Sequence, residues 1–570
     1  MRDRSVTPRW ILSALGILGL VLAFTAVSSP VSVAQQAEAS SQEPAKQSST
    51  ASDLPPLPLS PIEKAEKDGT ALRISLKDLT KMALQNNLDI AIQDTNEQLS
   101  QQKILQAHGV YDPTFTATIG LNSQKSANTN LATASADQVG YNQTERQQWN
   151  FGFSQSVKTG GKFEASWNSS RSDNNQAFAL FTPQYNGGLT GTFTQPLWRN
   201  FKIDSNRGQI KIVNLDLKTS DSQFKQKVTD TIASIQSQYW DLVSAIRDYD
   251  IKRKSVEFAQ ITLRDNTKKV EVGTLAPIEV TDARANVAGR EVDLISSEER
   301  ILSQENTLRA LISNDRNAEI WSRVIVPTDS PEFLEYKVSL EDAINAALKN
   351  RPELEQRDLE LRKLDINQQV TENSRKWQVD LQAQLGTTGV SGPQTIKNGI
   401  PTIRPELVGG IWNAYQTMFT EGFTSWQIAL QLQIPLRNRT VDAQIAQHQI
   451  NRRQQLMQRR NTEQSIQVDV RNAIQKLETS KKQVETAKVS RELSRERLDG
   501  EQKRFEAGLS QNYLVLQRQN ELASAAYTEL QALITYKKAI ITLQKAMYTL
   551  LESSEFDIAK GSSNTVANLK

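Results

Sequence analysis

The segment TSWQIALQLQIPLRNR, Thr424–Arg439, carries the clearest structural signal of the chain. Every second residue is apolar over nine positions, and a proline closes the run: Trp426, Ile428, Leu430, Leu432 and Ile434 are apolar before Pro435. Because successive side chains of a strand point to opposite faces, this pattern predicts a strand with one apolar and one polar face. The fold depends on what covers the apolar face.

The same alternation recurs in five other segments, which contain Phe115, Trp149, Phe163, Leu189 and Trp377. Several are close to the nine to eleven residues with which a tilted strand crosses a bilayer, and aromatic residues lie near their ends, as at a membrane boundary. A soluble sandwich is the alternative, but it needs inner faces from two sheets. Here hundreds of residues with helical patterns separate the strands, so we expect lipid to cover the apolar face.

The N-terminus predicts export from the cytoplasm. Residues 1–34 contain three arginines, the apolar run Trp10–Val27 and small residues at the cleavage positions of Ser32–Ala34, as a secretory signal peptide does. A retained membrane anchor is the alternative. Residues 35–70 are rich in Gln, Ser, Ala and Pro and predict a flexible arm, and residues 556–570 form a polar C-terminal tail.

Composition argues against several classes of function. The 570 residues carry a net charge of +3, so there is no basic field for nucleic acid. There is no cysteine, and the only histidines, His108 and His448, lie far apart without further metal ligands at helical spacing. The TGGK segment Thr159–Lys162 lacks the spacing of a phosphate loop and predicts a hairpin turn. We expect no catalytic residues, no metal and no cofactor, and hence no enzyme.

The chain contains an internal duplication. Three landmarks recur in the same order in the two halves: a helix start at Ile74 and Val338, a proline after strands at Pro196 and Pro435, and a glycine turn at Gly273 and Gly508. These landmarks define a first repeat at 71–330 and a second at 331–555. Each repeat reads as a helix, strands, a very long helix, a tight turn and another long helix.

The long helices are too long for a compact domain. The helical patterns run over about 75–108, 206–272, 340–375, 440–506 and 512–552. A helix of about 66 residues spans roughly 100 Å, which predicts a coiled coil or the wall of a rod. One seven-residue register holds Val470, Leu477, Val484, Leu498 and Phe505, and a second holds the small residues Ala473, Ser480, Ala487 and Ser494. This narrow stripe favours close packing of helix against helix.

The number of strands predicts an oligomer. A membrane sheet cannot leave an edge unpaired, and transmembrane barrels start at eight strands, whereas this chain supplies four to six. The first repeat has 122 positions from Ile74 to Pro196, and the second has 97 from Val338 to Pro435. The excess corresponds to a complete hairpin around Gly160. We therefore predict six strands in each chain, with the added hairpin either widening or extending a shared barrel.

The duplicated plan, the prolines after the strands and the glycine turns resemble the TolC family of outer membrane efflux proteins. The resemblance implies an α+β membrane protein with two strands per repeat in a shared twelve-stranded transmembrane β-barrel and a long α-helical coiled-coil periplasmic tunnel. It also implies a homotrimer in outer membrane lipid. That trimer would bind a periplasmic adaptor protein and an inner-membrane pump and would serve drug efflux, metal efflux or type I secretion. A secreted coiled-coil scaffold or adhesin without a pore is the alternative.

The resemblance also implies site residues. The turns between long helices would form the periplasmic tip that contacts the adaptor, at Gly273, Thr274, Gly508 and Leu509. The pore gate of the family carries aspartates in the second repeat, but Leu514 and Gln517 stand there in this chain, while the first-repeat counterparts are Glu279 and Asp282. We expect closure by Leu514 with charge from these carboxylates. The carboxylates would alternatively only stabilise a helix start.

Four cations follow the two strand-ending prolines, namely Arg199, Lys202, Arg437 and Arg439. Their position predicts that they lie at the periplasmic boundary of the membrane, where long cationic side chains reach lipid phosphates. Ordinary solvated charges are the alternative.

Overall fold

The computed structural model describes residues 59–127, 140–176, 178–315, 317–395 and 403–553. The predicted signal peptide, the first part of the predicted arm and the predicted C-terminal tail lie outside the described residues. The last part of the arm is ordered: helix α1, Pro61–Lys67, is capped by Ser60, and Glu63 pairs with Arg253 at 3.0 Å. Residues 61–67 of the segment predicted as a flexible arm therefore form a helix.

Helices dominate both halves of the chain. After α1 they are α2 Leu76–Asn86, α3 Leu88–His108, α4 Ser205–Glu271, α5 Ile278–Ile312, α6 Leu340–Asn350, α7 Pro352–Ser374, α8 Ile411–Thr420, α9 Arg439–Glu506, α10 Asn512–Met547 and α11 Leu550–Ser553. The two longest, α4 and α9, have 67 and 68 residues and thus span about 100 Å each. The long helices predicted from the sequence are confirmed.

The strands form two sheets. They are β1 Ala71–Ile74, β2 Thr114–Ala127, β3 Tyr141–Ser156, β4 Lys162–Asn174, β5 Gln184–Pro196, β6 Val324–Pro327, β7 Gln378–Ser391 and β8 Thr424–Gln433. The larger sheet is antiparallel throughout, in the order β2-β3-β4-β5-β7-β8. The six predicted strands are confirmed. The first repeat supplies four of them and the second two, so two strands per repeat was wrong.

The added strands form the predicted hairpin β3–β4. Its turn is closed by the Val157 amide donating to the Gly161 carbonyl at 2.9 Å. Gly160 adopts a φ of +87°, which a residue with a side chain rarely does. The hairpin lies inside the sheet, between β2 and β5, so it adds width to one continuous sheet.

The helices pack as antiparallel pairs around two apolar cores. In the first repeat α4 packs on α5, with Ile232, Ile235 and Tyr239 fully buried. In the second, α9 packs on α10 through Ile466, Val470, Ala473, Leu477, Ser480, Val484 and Ala487, which are all buried. The predicted stripe is therefore confirmed, and Leu498 continues it. Helix α10 also packs on α4 and joins the two repeats.

Two predicted helices are each broken into two. Helices α2 and α3 meet at Asn87, whose extended backbone has ψ 123° and whose side chain accepts from the Asp89 and Ile90 amides. Helices α6 and α7 meet at Arg351, with ψ 124°. The cause at Arg351 is Pro352, since the residue before a proline avoids the helical region. At Asn87 the side chain caps the second helix instead.

A small parallel sheet was not predicted. Strand β1 pairs with β6 from Ala71 opposite Val324 to Ile74 opposite Pro327. Both strands have four residues and lie far apart in the chain, so neither has a periodic pattern long enough to recognise. Ile74 of β1 and Ile325 of β6 belong to the buried core that contains Tyr239.

Candidate functional site

The larger sheet has one apolar face that is built from all six strands. Register places apolar partners opposite one another across neighbouring strands: Phe115 with Phe153, Phe151 with Trp167, Phe163 with Phe193, and Leu381 with Leu430. The facing positions on the other side are mostly polar, for example Asp380 opposite Gln431 and Gln384 opposite Gln427. The predicted one-sided pattern is thus present in every strand.

The apolar face is exposed in the single chain. Ile119 is 80% exposed and Ile428 is 69% exposed. A contiguous exposed apolar surface that extends across several strands marks contact with a membrane or another protein. Among the described residues, no helix combines the length and the apolar character of a membrane-spanning helix.

Both edges of the sheet are open. Strands β2 and β8 each pair on one side only within the described part of the chain. An open edge presents unpaired amides and carbonyls along a whole strand. The sheet is therefore incomplete as one chain, both at its apolar face and at its two edges.

The predicted cations lie at the end of the sheet that joins the helices, here called the proximal end and defined by Thr114, Pro196, Gln378 and Gln433. Lys202, Arg437 and Arg439 are exposed, and Arg199 is half-buried. Exposed aromatic and aliphatic side chains lie beside them in the sequence, at Leu197, Trp198, Phe201 and Leu436. Cationic and apolar side chains that alternate in this way suit a membrane–water boundary.

The two predicted tips have the same backbone geometry. Gly273 and Gly508 have φ of +77° and +72°. The Thr274 amide donates to the Lys269 carbonyl at 2.8 Å, and the Leu509 amide donates to the Arg504 carbonyl at 2.9 Å. Glycine in this position with a six-to-one hydrogen bond ends a helix and reverses the chain. Leu509 is 80% exposed, so the tip offers an apolar side chain to solvent.

The candidate gate residues lie just beyond the tips. Glu279, in the first turn of α5, accepts a hydrogen bond from the Asn512 amide group at 3.4 Å, so the two repeats touch here. Asp282 and Gln517 are exposed, and Leu514 is half-buried. The structure thus brings Glu279 to the start of α10, where Leu514 lies, and leaves Asp282 free to face solvent.

A charged cluster near the gate was not predicted. Arg518 donates two hydrogen bonds to Glu521, at 2.9 and 2.7 Å, and Gln517 donates a third at 3.2 Å. The Arg518 hydrogen bond holds the pKa of Glu521 below its usual range, because it stabilises the charged carboxylate. Further along the helices, Arg300 of α5 donates to the Tyr527 hydroxyl of α10 at 3.4 Å. The contact between Arg300 and Tyr527 joins two helices, which no local pattern reveals, whereas the contacts to Glu521 lie within α10 at spacings of three and four residues.

Helix α8 is the largest feature that the sequence did not predict. It lies at the distal end of the sheet, the end away from the long helices, and packs on β5 and β7. Its sequence IWNAYQTMFT carries apolar residues at helical spacing, which was the available signal. Ten residues between two strands of alternating pattern are easily taken for a loop.

No group of three or more His, Asp or Glu residues that could hold a metal ion occurs in the part of the chain that the structure describes.

Comparison with known proteins gives a family and a fold. The model of the outer membrane efflux protein family matches residues 162–314 and 343–547. A comparison with curated protein sequences gives no significant match.

Solved structures of outer membrane channels are similar in fold. The Campylobacter jejuni CmeC outer membrane channel has a TM-score of 0.58 at 16% identity over 86% of this chain and 88% of that one. The Vibrio cholerae outer membrane protein VceC has a TM-score of 0.57 at 13% identity over 83% and 95%. The open state of the Neisseria gonorrhoeae MtrE outer membrane channel has a TM-score of 0.55 at 15% identity over 83% and 89%.

Proposed function

The chain belongs to the outer membrane efflux protein family, and from this membership we propose that it forms a homotrimeric channel-tunnel, the exit duct of a tripartite efflux or type I secretion system. Its sheet spans the outer membrane and its long helices stand in the periplasm, where they bind an adaptor protein and an inner-membrane pump. Residues 1–34 direct export, and residues 71–330 and 331–555 are the two repeats that build the wall.

The observation that carries this proposal is the one-sided sheet with two open edges. In hydrocarbon every backbone amide and carbonyl must be paired, so a spanning sheet must close. Three chains, each joining its β8 to the β2 of the next, would remove every edge and enclose the polar face. The apolar face would then point outward to lipid. In a soluble protein the same apolar face, which extends across six strands, would be exposed to water.

The cations at the proximal end fit the same arrangement. There the helices begin, so this end faces the periplasm. We propose that Arg437 and Arg439, with Lys202 and Arg199, contact lipid phosphates at this boundary. Arg437→Ala with Arg439→Ala should then weaken membrane insertion, and unchanged insertion would show that these are ordinary solvated charges.

The tips at Gly273, Thr274, Gly508 and Leu509 are the proposed contact with the adaptor. Exposed Leu509 supports this, because an apolar side chain at the end of a rod is suited to burial against a partner. The gate is proposed just above, with an apolar layer at Leu514, a neutral one at Gln517 and charge from Glu279 and Asp282. Three copies of each side chain would form rings around the axis.

The competing function is a secreted coiled-coil scaffold or adhesin. Membrane extraction and mass in detergent separate the two. A scaffold is released by high salt, whereas a barrel is released by detergent only. We expect detergent to release a particle with the mass of three chains that conducts ions in planar bilayers. Release by salt, or a stable single chain in detergent, would contradict the proposal.

A further inference from the structure

Helix α8 lies on the apolar side of the sheet. Gly187 and Gly389 alternate in phase with Leu189 and Leu385, so all four positions face the same side. An added Cβ at Gly389 would lie 1.9 Å from the Ala414 carbonyl oxygen, and one at Gly187 would lie 2.9 Å from the Tyr415 ring. The helix therefore occupies the space that strand side chains fill elsewhere on this face.

The helix is fixed there by hydrogen bonds to the sheet. The Tyr415 hydroxyl accepts from the Trp149 indole at 3.1 Å and donates to Ser169 at 3.0 Å. Ser391 donates to the Gly410 carbonyl at 2.7 Å. The helix thus supplies hydrogen-bond partners to the polar groups that interrupt the apolar face at its distal end. These groups therefore keep little hydrogen-bonding capacity for water.

The apolar face is too short under this helix to span a membrane by itself. On β4 the apolar alternation runs only from Phe163 to Trp167 and continues with Ser169 and Arg171. Four residue steps cover about 13 Å along a strand. The apolar band of outer membrane barrels is about 25 Å tall. Strand β4 therefore lacks roughly half of the band, at the end where Tyr415 of α8 contacts it.

The outward side of α8 supplies apolar surface at that level. Trp412 is 79% exposed and Phe419 is 65% exposed, and they lie two helical turns apart on the same face. Residues 405–420 contain one charged residue, Glu406, which precedes the helix. Phe423 and Trp426 extend the aromatic surface onto β8. Aromatic side chains with neutral polar neighbours are typical of a membrane–water interface.

We propose that α8 is an interfacial helix that completes the membrane-facing band of the sheet, with Trp412 and Phe419 inserted into the lipid at the distal boundary. This rests on the proposed function, since it takes the apolar face to be covered by lipid. Another copy of the chain would join at β2 or β8, whereas α8 packs on the interior strands β5 and β7. Lipid is therefore the occupant that continues from the sheet onto the helix.

The absence of cysteine from the sequence allows a direct test. Single variants Trp412→Cys and Phe419→Cys carry a nitroxide label in the full-length chain, reconstituted into vesicles of phosphatidylcholine and phosphatidylglycerol. Leu430→Cys on the apolar face and Gln431→Cys on the polar face are the matched controls on β8. All four side chains are exposed in the single chain, so the substitutions remove no core packing. Accessibility of each label to oxygen and to a water-soluble nickel complex is then measured.

We expect the labels at Trp412, Phe419 and Leu430 to favour oxygen at least several-fold over the label at Gln431. If the Leu430 label favours oxygen while those at Trp412 and Phe419 behave like the one at Gln431, α8 lies in water and this inference is wrong, although the proposed function stands. If the Leu430 label also favours nickel, the proposed function itself fails. Dipolar broadening between labels at Phe419 would place a second copy on the helix and would likewise overturn the inference.

Discussion

Glycine and alanine differ by one methyl group, and at Gly389 that methyl group has no space. Its Cβ would lie 1.9 Å from the Ala414 carbonyl oxygen, so Gly389→Ala must displace α8 from the sheet. Overpacking of this kind costs about 1–3 kcal/mol, which corresponds to a rise of roughly five- to 150-fold in the undocked population of the helix. We expect correspondingly faster chymotrypsin cleavage after Tyr415 or Phe419.

Gly191→Ala is the matched control for this prediction. Gly191 lies in the same alternation on β5 as Gly187, but an added Cβ there meets nothing within 4 Å. The Gly191→Ala substitution should therefore leave the rate of chymotrypsin cleavage unchanged. Equal cleavage of the Gly389→Ala and unsubstituted proteins would show that α8 is not held against β7.

The proposed gate residues differ in their hydrogen bonding. Glu279 accepts a hydrogen bond from Asn512, whereas Asp282 is exposed. We therefore expect Asp282→Asn to weaken block by divalent cations severalfold in planar bilayers, and Glu279→Gln to weaken it less. Leu514→Ser should raise the resting conductance, because it replaces an apolar layer by a polar one.

Glu291→Gln controls for a general change of charge, since Glu291 is exposed on the same helix, α5, about two and a half turns from Asp282. It should leave both conductance and block as they are. If none of Leu514→Ser, Asp282→Asn and Glu279→Gln has an effect, the narrowing lies elsewhere in the tunnel.

At the scale of the element, the pair α9 and α10 depends on a row of small side chains. Ser480 is 1% exposed and donates to the Leu477 carbonyl of its own helix at 2.9 Å. Ser480→Leu places a large side chain where the two helices touch, at a cost of about 1–3 kcal/mol. We expect the thermal midpoint of the helical circular dichroism signal to fall. Ser490→Leu makes the same change at an exposed position of α9 and should leave the midpoint in place.

The elements differ in how far their sequence reveals them. The alternation from Trp426 to Gln433 spans four pairs of residues, and the stripe from Val470 to Val484 spans two heptads. Patterns of this length have few alternatives, which explains why the strands and long helices were predicted correctly. Because of the internal duplication, the sequence pattern of each element in one repeat could be compared with that of its counterpart in the other.

The missed elements are short or depend on partners far along the chain. Strands β1 and β6 have four residues each, so their pairing is fixed by the core beside them. The break at Asn87 follows from a side-chain cap inside an otherwise helical pattern. Contacts between repeats, such as Glu279 with Asn512, need the folded pair of tips. Helix α8 sits in a stretch whose position is decided by two glycines on other elements, Gly187 and Gly389.

For the whole molecule, the hairpin β3–β4 sets the number of strands. Three chains with six strands each would close a barrel of eighteen strands. Barrel diameter grows roughly linearly with strand number, so this pore would be about one and a half times as wide as a twelve-stranded one. Removal of residues 141–174 should yield a channel with four strands per chain and a ring narrower by about a third in electron micrographs viewed along the axis. An unchanged ring would mean that the hairpin does not contribute to the barrel.

Because of where this hairpin lies in the sheet, the number of strands can change without any change in the long helices. Strands β2 and β5, on either side of it, run in opposite directions, so they could pair directly if it were absent. Its turn lies at the proximal end, beside Asn200, while both of its outer ends lie at the distal end. A hairpin could therefore be gained or lost between two existing neighbours while every long helix keeps its attachment. In such a lineage the width of the sheet could change in steps of two strands per chain, while the long helices and their tips stay unchanged.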